Sequence, residues 1–504
     1  MAAIDTLPGR PAGPAAGLAD ALRNEFTLKG ARLPWAAKIY LLCVVIPIGL
    51  NAGPLVVTTL RGFLMVMVIP LTVMLFSKRF GKLFITDYLF LGHICWAALA
   101  LHVNNPDKFV QQVGSVGVEF LGGYLIGRAY IRTPEAFIAL CRWLCAIVLL
   151  TLPFDIFEAR TGRPLLIEFI RRIPGVVTVE MVNADKRMGL ERVQAVFAHP
   201  IHYGLFCSVA FSLSFVALQG LGSTAWRLLR STLVALSGFL ALSSGALLAM
   251  VLQFALIIWS TLLQSVRQRW WILVGLFALA YVVIDVTSTR SPIRVFMSYA
   301  TFSAHNAYWR GIIFEWGMKN VWANPWVGIG LNDWERPWYM FSGSMDNFWL
   351  VMAVRYGIPG FLMLAVGWAY GVAMVMRRNL EGDERLTLIR RAWVFTFLGL
   401  SFTLCTVHVW TNIYSFAMFM FGAGMWLITA EPRTGEAGEG AAPPPPGLRQ
   451  GRARQDAPAI APTQGPRPGP RHSRFPLAAR PGSARSGERP DERPPTLQRP
   501  HKAS

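Results

Sequence analysis

The chain has 504 residues, of which 54% are hydrophobic and only 15% are charged, and its formal net charge is +20. A mean hydropathy of +0.42 excludes an ordinary soluble domain and indicates a membrane protein with several spans. In a soluble chain this charge would suggest a nucleic-acid partner. Here the basic residues lie in loops between apolar runs, where they set membrane orientation, so no nucleic-acid binding is predicted.

The predicted fold class is all-α, a polytopic membrane protein. Residues 1–35 are rich in Gly, Pro, Ala and basic side chains and are predicted to form a flexible cytoplasmic arm. A membrane domain of about 12 transmembrane helices is predicted over 36–430, and most runs are long enough to cross a hydrocarbon core of roughly 30 Å. The predicted spans are 36–50, 54–76, 84–103, 113–131, 136–158, 201–221, 228–244, 246–264, 270–288, 347–376, 391–410 and 412–430.

Positive charge recurs in every second connection between these runs. The basic connections hold Lys78 to Lys82, Arg128 and Arg132, Arg227 and Arg230, Arg267 and Arg269, and Arg377 to Arg391. Because Lys and Arg are enriched in cytoplasmic loops, both termini are predicted to lie in the cytoplasm. Two long polar segments, 159–200 and 289–345, are then predicted to lie outside.

The first outer segment breaks this charge rule. It carries Arg160, Arg163, Arg171, Arg172, Lys186, Arg187 and Arg192. One explanation is a bound anion, since the planar guanidinium fork suits phosphate. The other is that a long loop escapes a rule that applies mainly near span ends, with Glu168, Glu180, Asp185 and Glu191 able to pair with several of the basic residues.

Two histidines follow Arg192 in the stretch RVQAVFAHPIHYG, residues 192–204. His199 can donate to a phosphate or shuttle a proton, although each histidine alone is more often a structural hydrogen bonder, and this holds for His202 too. The sequence contains no H-E-x-x-H motif and no carboxylate cluster with metal spacing. No metal and no cofactor are therefore predicted.

The second outer segment leads back into the membrane. Tyr308–Trp322 predicts a short amphipathic helix that Asn324-Pro325 ends, and Gly328-Ile329-Gly330 predicts a tight turn. Asp346-Asn347 then opens the next apolar run. Arg310 and Asp346 are thus expected at the membrane edge, where a charge is costly unless it is used.

Tryptophan is unusually dense in and just after this segment. The residues are Trp309, Trp316, Trp322, Trp326, Trp334, Trp338 and Trp349. Most are interpreted as an interfacial aromatic belt. One or two of them, with Trp309 the candidate, are interpreted as a platform for sugar rings. Beyond the last span, residues 431–504 are rich in proline and arginine and are predicted to form a disordered cytoplasmic tail.

Four stretches, in this order, resemble the bacterial O-antigen ligase and polysaccharide polymerase superfamily. Arg192–Gly204 is similar to the family's Arg-x-x-Gly-x-Phe-x-x-Pro-type entry to a central span, and Leu240–Val251 (LALSSGALLAMV) resembles its Ser-Arg-Gly helix. Trp309–Trp334 is similar to an Arg-plus-Trp segment that ends in Asn-Pro-x-x-Gly-x-Gly. Asp346–Leu364 resembles the His-Asn-x-x-Leu opening of a late span. The resemblance covers roughly residues 185–376.

Three positions depart from the family pattern. Ser244 stands where the family has arginine, Asp346 where it has histidine, and Ala195 where it has glycine. These departures indicate a branch distant from the ligases that act on lipid A-core. They favour a polymerase of exopolysaccharide, capsule or O-antigen repeats, by analogy with the family.

The resemblance implies a metal-independent glycosyltransferase of the bacterial inner membrane that acts on the periplasmic face. Its donor would be an oligosaccharide on undecaprenyl pyrophosphate, and a glycan acceptor hydroxyl would attack the anomeric carbon. A ligase is the alternative within the family. A transporter or flippase of lipid-linked sugars is the alternative from another class, although no internal repeat supports it. Membrane lipids, a chain-length regulator and export proteins are the other expected partners.

The predicted catalytic residues are Arg192, Arg310 and Asp346. Fixed guanidiniums stabilise the charge that develops on a leaving pyrophosphate, and Asp346 stands at the position of the family's histidine as a general base. The predicted substrate contacts are Arg187, His199, His202, His305, Trp309 and Asn347. Of these, His199 and His305 are alternative bases.

Overall fold

The computed structural model describes residues 32–52, 55–289, 295 and 304–432. The side chains of residues 52, 55 and 304–307 lie outside the described part. The predicted arm over 1–31 and the predicted tail over 433–504 also lie outside the described residues.

The described residues are mostly helical, as predicted, and each predicted apolar run corresponds to a helix. The helices are α1 (Trp35–Val45), α2 (Thr59–Phe76), α3 (Ile85–Asn104), α4 (Phe109–Tyr130), α5 (Pro134–Thr161), α6 (Leu165–Arg171), α7 (Pro200–Ser212), α8 (Thr224–Leu240), α9 (Ser244–Leu262), α10 (Arg269–Thr287), α11 (Ala304–Ala323), α12 (Phe348–Arg377), α13 (Glu384–Thr403) and α14 (Thr411–Gly422). A π-helical turn, Leu213–Ala217, continues α7, and a 3-10 turn, Met425–Ile428, follows α14. One antiparallel hairpin, β1 (Gly49–Ala52) and β2 (Leu55–Thr58), interrupts the helices.

Eight helical segments in the described part are long and apolar enough to cross a membrane. They are α2, α3, α5, α7 with its π turn, α9, α10, α12 and α14 with its 3-10 turn. Of the other four predicted spans, α1 has 11 residues and α8 has 17, and α4 and α13 are more polar. The chain is therefore a multi-pass membrane protein, and the count of about 12 stays a prediction.

Helix α10 shows the membrane character most directly, because none of its residues is buried. Trp271 is 78% exposed and Val286 is 79% exposed. An apolar helix with its surface uncovered is unstable in water but suits a lipid environment.

The packing of α4 explains its low hydropathy. Gly123 and Gly127 face α14 so closely that a Cβ on either would overlap the backbone of Ser415 or Phe419. Small residues at helix interfaces allow this close approach in membranes. These glycines lower the mean hydropathy of α4 while placing it in the centre of the bundle.

Side-chain contacts join the predicted cytoplasmic connections to one another. Arg128 Nη2 donates to the carbonyl oxygen of Lys82 at 2.8 Å. Arg385 Nη1 donates to the carbonyl oxygen of Gln219 at 3.0 Å. The basic connections are thus braced by their own arginines.

The predicted outer connections are also joined to one another. Gly49 in β1 exchanges backbone hydrogen bonds of 2.6 and 2.9 Å with Val177 in the first outer segment. Asn105, between α3 and α4, donates to Asn332 in the second outer segment at 3.0 Å. The outer segments therefore rest on the ends of the helices, where the candidate site lies.

Candidate active site

The loop that carries Arg192 is held from two sides. Glu158, near the end of α5, accepts hydrogen bonds from the backbone N–H of Gln194 at 2.8 Å and of Ala195 at 3.2 Å. The N–H of Val193 donates to the carbonyl oxygen of Leu240 at the end of α8, at 3.1 Å. These bonds hold the backbone of the loop, and the side chain of Arg192 faces the cavity that is described below.

Ala195 has φ +52°, which is the left-handed region that favours glycine. The glycine of the related family at this position is therefore explained by backbone conformation. The buried Glu158 carboxylate holds the alanine in this conformation. The departure from the family pattern leaves the loop geometry in place.

The basic residues of the first outer segment divide into two groups. Arg163 pairs with Glu168 at 2.7 Å and Lys186 with Glu191 at 2.9 Å, both on the exposed side. Arg187 instead donates through Nη1 to the carbonyl oxygen of Leu242 at 2.8 Å. Carboxylate pairing therefore accounts for Arg163 and Lys186, and a bound anion near Arg187 stays a prediction.

The second outer segment is fixed by a joint between α11 and α12. Gly328 and Gly330 both have φ +63°, and together with Ile329 they form the predicted turn. The N–H groups of Ile329 and Gly330 donate to the carbonyl oxygens of Val354 and Arg355 at 2.9 and 3.0 Å. The turn therefore docks directly on the backbone of α12.

Helix α12 is kinked at the same place. Gly357 has φ +70° and ψ +178° within the helix, and the N–H of Ile358 donates to the carbonyl oxygen of Pro325 at 2.7 Å. A Cβ on Gly357 would overlap the carbonyl of Trp326. The joint therefore fixes the C-terminal end of α11 against α12. Arg310 lies in the first half of α11, and Asp346 lies just before the start of α12.

A cavity of about 240 Å³ lies where the two outer segments meet the starts of α7, α9 and α12. It is lined by Arg187, Arg192, His199, Ile201, Ser243, Ser244, Trp309, Arg310, Ile313, Asp346 and Val407. The three residues predicted as catalytic are therefore neighbours, although Arg192 and Arg310 are far apart in sequence. The volume suits a small polar group, since pockets for drug-sized ligands start at about 300 Å³.

The cavity is strongly electropositive. Arg192 Nε and Arg310 Nη1 are buried and have no hydrogen-bond partner among the described residues. Burial, with the nearby charge of Arg187 adding and that of Asp185 opposing, lowers the pKa of Arg192 to about 10. Burial likewise lowers the pKa of Arg310, whereas Asp346 opposes this shift. A bound anion would relieve both the desolvation and the repulsion.

Two helix N-termini add to this potential. Ser243 caps α9 by accepting from the N–H of Ala246, and His199 caps α7. Ser243, Ser244 and His199 all line the cavity. The positive ends of two helix dipoles therefore point at the place where the arginines gather, an arrangement typical of phosphate sites.

The hydrogen bonding of His199 fixes its chemical role. Its Nδ1 accepts from the N–H of Ile201 at 3.1 Å, so the neutral ring carries its proton on Nε2. Burial, with Arg192 and Arg187 adding, lowers its pKa to about 4. At neutral pH the ring can therefore donate Nε2–H to an anion, but it lacks a free acceptor nitrogen for a proton.

Asp346 is the carboxylate of this cavity in the described part of the chain. Its Oδ1 accepts from Ser344 Oγ at 3.1 Å, and the residue is half-buried. It directly precedes Asn347, which caps α12 by accepting from the N–H of Leu350 at 3.1 Å. Asn347 thus positions the start of the helix and does not line the cavity.

Of the remaining predicted substrate contacts, His202 does not line the cavity. His202 is fully buried one turn into α7, with its ring 4.1 Å from the ring of Trp410. Neither of its ring nitrogens has a hydrogen-bond partner among the described residues. The side chain of His305 lies outside the described residues.

A loop at residues 404–410 separates the last two long helices, because α13 ends at Thr403 and α14 begins at Thr411. The predicted span 391–410 is therefore wrong at its end. Val407 in this loop lines the cavity, and the ring of Trp410 lies 6.0 Å from that of His199. The signal that could have revealed the loop is the polar run His408-Val-Trp-Thr-Asn412 inside an apolar stretch.

The fold and the cavity define a multi-pass membrane protein with an arginine-lined cavity at one end of its helices. Residues 231–365 match the family model described as O-Antigen ligase, and this part of the chain belongs to the O-antigen ligase and polysaccharide polymerase superfamily. Members of this family are glycosyltransferase-like enzymes that act on lipid-linked glycans. The match includes Arg310 and Asp346, whereas Arg192 lies before it. No curated protein matches the chain.

Proposed function

We propose that the protein is a glycosyltransferase of the bacterial inner membrane that polymerises undecaprenyl-pyrophosphate-linked oligosaccharide repeats on the periplasmic face. The observation that carries the proposal is the cavity in which three arginines gather around one carboxylate. Arg192 and Arg310 supply buried N–H groups that have no hydrogen-bond partner among the described residues. An enzyme whose leaving group is a pyrophosphate needs such donors.

In the proposed reaction the donor pyrophosphate binds between Arg192 and Arg310. Arg187 and the Nε2–H of His199 add further donors at the same cavity. Negative charge on the bridging oxygen grows as the glycosidic bond breaks, so fixed donors stabilise the transition state more than the bound donor substrate. The sugars beyond the reacting ring extend out of the cavity, which is too small for an oligosaccharide.

The acceptor hydroxyl gives its proton to the Asp346 carboxylate as its oxygen attacks the anomeric carbon. The new carbon–oxygen bond forms while the bond from the anomeric carbon to the pyrophosphate oxygen breaks. That oxygen keeps the electron pair, and the lipid pyrophosphate leaves. Trp309 lines the same cavity and offers an indole face to the reacting sugar.

A transporter fits the charges of the described residues less well. The helices do contain an ion pair, in which Arg61 Nε lies 2.8 Å from the buried Glu119. The two charges of this pair meet each other and link α2 to α4. Arg192 and Arg310, which carry buried N–H groups without a hydrogen-bond partner among the described residues, lie instead at the cavity formed by the outer segments. A transport site would instead be expected near mid-depth between repeated halves.

The first prediction concerns the two arginines. Arg192→Ala and Arg310→Ala should each reduce synthesis of long-chain polysaccharide by about 10²–10³-fold, because each removes a donor to the leaving pyrophosphate. Arg→Lys at either position should also fail to restore normal levels, since a point charge cannot replace the planar fork. The readout is polysaccharide chain length on gels, with the protein level in membranes measured by immunoblot.

Arg163→Ala is the matched control. Arg163 lies on the same outer segment, is 60% exposed and pairs with Glu168 away from the cavity. It should leave the polysaccharide unchanged. Normal chain length in Arg192→Ala and Arg310→Ala, at normal protein level, would remove the enzymatic proposal.

Deletion of the gene for this protein distinguishes a polymerase from a ligase. Accumulation of single repeats on the lipid carrier supports the polymerase, since no repeats are then joined. Accumulation of intact polymer on the carrier supports the ligase, because only the final transfer is missing. Mass spectrometry of the extracted lipid-linked glycan gives the answer.

A further inference from the structure

A second cavity, of about 790 Å³, lies at the opposite ends of α7 and α9. The first cavity is lined by Ile201 and Ser244 at the starts of these helices, and the second by Val216 and Leu262 at their far ends. Helix α9 has 19 residues and is about 28 Å long at 1.5 Å per residue. The two cavities are therefore separated by about one hydrocarbon core.

The lining of the second cavity holds balanced charges. Arg227 and Arg391 contribute the positive charges, and Asp383 and Glu384, at the start of α13, contribute the negative charges. Arg227 is half-buried, stacks over Phe215 at 4.9 Å, and its buried Nε has no hydrogen-bond partner among the described residues. The cavity thus has room and unmet donor capacity for a polar ligand.

An apolar groove of about 570 Å³ continues from this cavity. The two spaces share Phe215 and Phe254, and the groove extends between α8 and α9 as far as Phe239 and Leu247. Its lining is almost entirely hydrophobic. A charged cavity that opens into an apolar groove along two membrane helices has the shape of a lipid, with one polar end and one apolar end.

We propose that this combined space binds one membrane phospholipid whose headgroup carries both a phosphate and a primary amine. The phosphate lies between Arg227 and Arg391, the amine lies towards Asp383 and Glu384, and an acyl chain fills the groove. Arginine favours phosphate through its planar fork. Carboxylates favour a primary ammonium, which can donate hydrogen bonds to them.

The balance of charge selects the headgroup class. An anionic headgroup without an amine would satisfy the arginines but leave the two carboxylates close to its phosphate. A quaternary amine carries a positive charge but has no N–H group that could donate a hydrogen bond to the two carboxylates. A primary amine on the phosphate meets both requirements. The site lies far from the reaction cavity, so its occupancy is independent of the proposed chemistry.

The test is native mass spectrometry of the full-length protein, delipidated in mild detergent and titrated with phosphatidylethanolamine, phosphatidylglycerol or phosphatidylcholine. The wild type should retain phosphatidylethanolamine at least threefold better than the other two. Arg227→Gln and Arg391→Gln should each lose at least threefold in retention. Glu384→Gln should remove the preference over phosphatidylglycerol.

Two further variants guard against indirect effects. Arg267→Gln, at an exposed arginine of the nearby α9–α10 connection, should bind as the wild type does. Thr232→Trp fills the groove from an exposed lining position without touching the arginines, and should also reduce retention. Equal or tighter binding of phosphatidylglycerol by the wild type overturns the headgroup assignment. Unchanged retention in the arginine and Thr232 variants overturns the site.

Discussion

The cavity contains two residues that the sequence allowed as a general base, Asp346 and His199. The structure assigns them different hydrogen-bonding capacities. His199 uses Nδ1 to accept from the N–H of Ile201, which leaves a donor on the other nitrogen. Asp346 has acceptor oxygens and lines the same space. The proposed removal of a proton by Asp346 and the proposed hydrogen-bond donation by His199 are therefore complementary.

The prediction at this scale separates the two roles. Asp346→Asn should reduce the rate of glycosyl transfer at least about 10²-fold, since the amide cannot take a proton. His199→Asn keeps an oxygen that can cap α7, and should reduce the rate by only about tenfold. The measurement is transfer by purified protein with a lipid-linked donor. Full activity in Asp346→Asn would exclude a base at this position.

The pH dependence provides a second readout for His199. Its folded-state pKa of about 4 lies below the ordinary value, so the ring stays neutral from pH 8 down to about pH 5. The pH profile of His199→Asn between these limits should therefore keep the shape of the wild-type profile. As the pH falls towards 4, the unfolded chain binds a proton that the folded chain resists, so folded-state stability declines.

Residue types and their placement beside predicted spans were enough to predict Arg192, Arg310 and Asp346 as candidates. The geometry that distinguishes them from their neighbours was not predictable. Arg163 and Arg192 belong to the same basic loop, yet one meets Glu168 and the other faces the cavity. The direction in which Arg192 points depends on the backbone N–H groups of its loop that donate to Glu158. These hydrogen bonds join segments far apart in sequence.

At the scale of elements, the joint between α11 and α12 explains why the segment around Gly328 is rich in glycine. The turn at Gly328–Gly330 was predictable, because two glycines separated by a single residue indicate a tight turn. Its docking on the kink at Gly357 was not predictable, since two separate segments must have matching conformations. The loop at 404–410 was missed for a related reason: its polar residues are few and lie between two apolar helices.

The prediction at this scale concerns the joint. A Cβ on Gly328 would overlap the carbonyl of Val354, and its φ of +63° disfavours alanine. Gly328→Ala should therefore destabilise the fold by about 2–4 kcal/mol and lower the thermal midpoint in detergent by about 2–5 °C. Glycosyl-transfer activity should fall together with the stability, because α11, which carries Arg310, loses its fixed position relative to α12.

Gly275→Ala is the control for this change. Gly275 lies in the exposed helix α10, and an added Cβ meets nothing within 4 Å. Alanine is the better helix former, so the thermal midpoint should stay the same or rise slightly. A Gly328→Ala variant as stable and active as Gly275→Ala would show that the joint does not position the site.

At the scale of the whole molecule, the basic residues in every second connection predict on which side of the membrane each end of the bundle lies. The reaction cavity is formed by the outer segments, and the cavity proposed to bind phospholipid lies at the end with the basic connections. If the orientation is as predicted, the first meets the periplasmic leaflet and the second the cytoplasmic leaflet. The proposed chemistry on a lipid-linked glycan requires this arrangement.

Labelling of single cysteines by a membrane-impermeant maleimide checks the orientation. Ser342 is exposed in the second outer segment and Ser77 is exposed at the end of α2, beside the first basic connection. In a background with Cys95 and Cys405 replaced by serine, Ser342→Cys should react in intact cells. Ser77→Cys should react only after permeabilisation, because its end of the bundle faces the cytoplasm. The unsubstituted background gives the baseline. The reverse pattern would place the arginine cavity on the cytoplasmic side, away from the glycan, and would contradict both the orientation and the proposed periplasmic reaction.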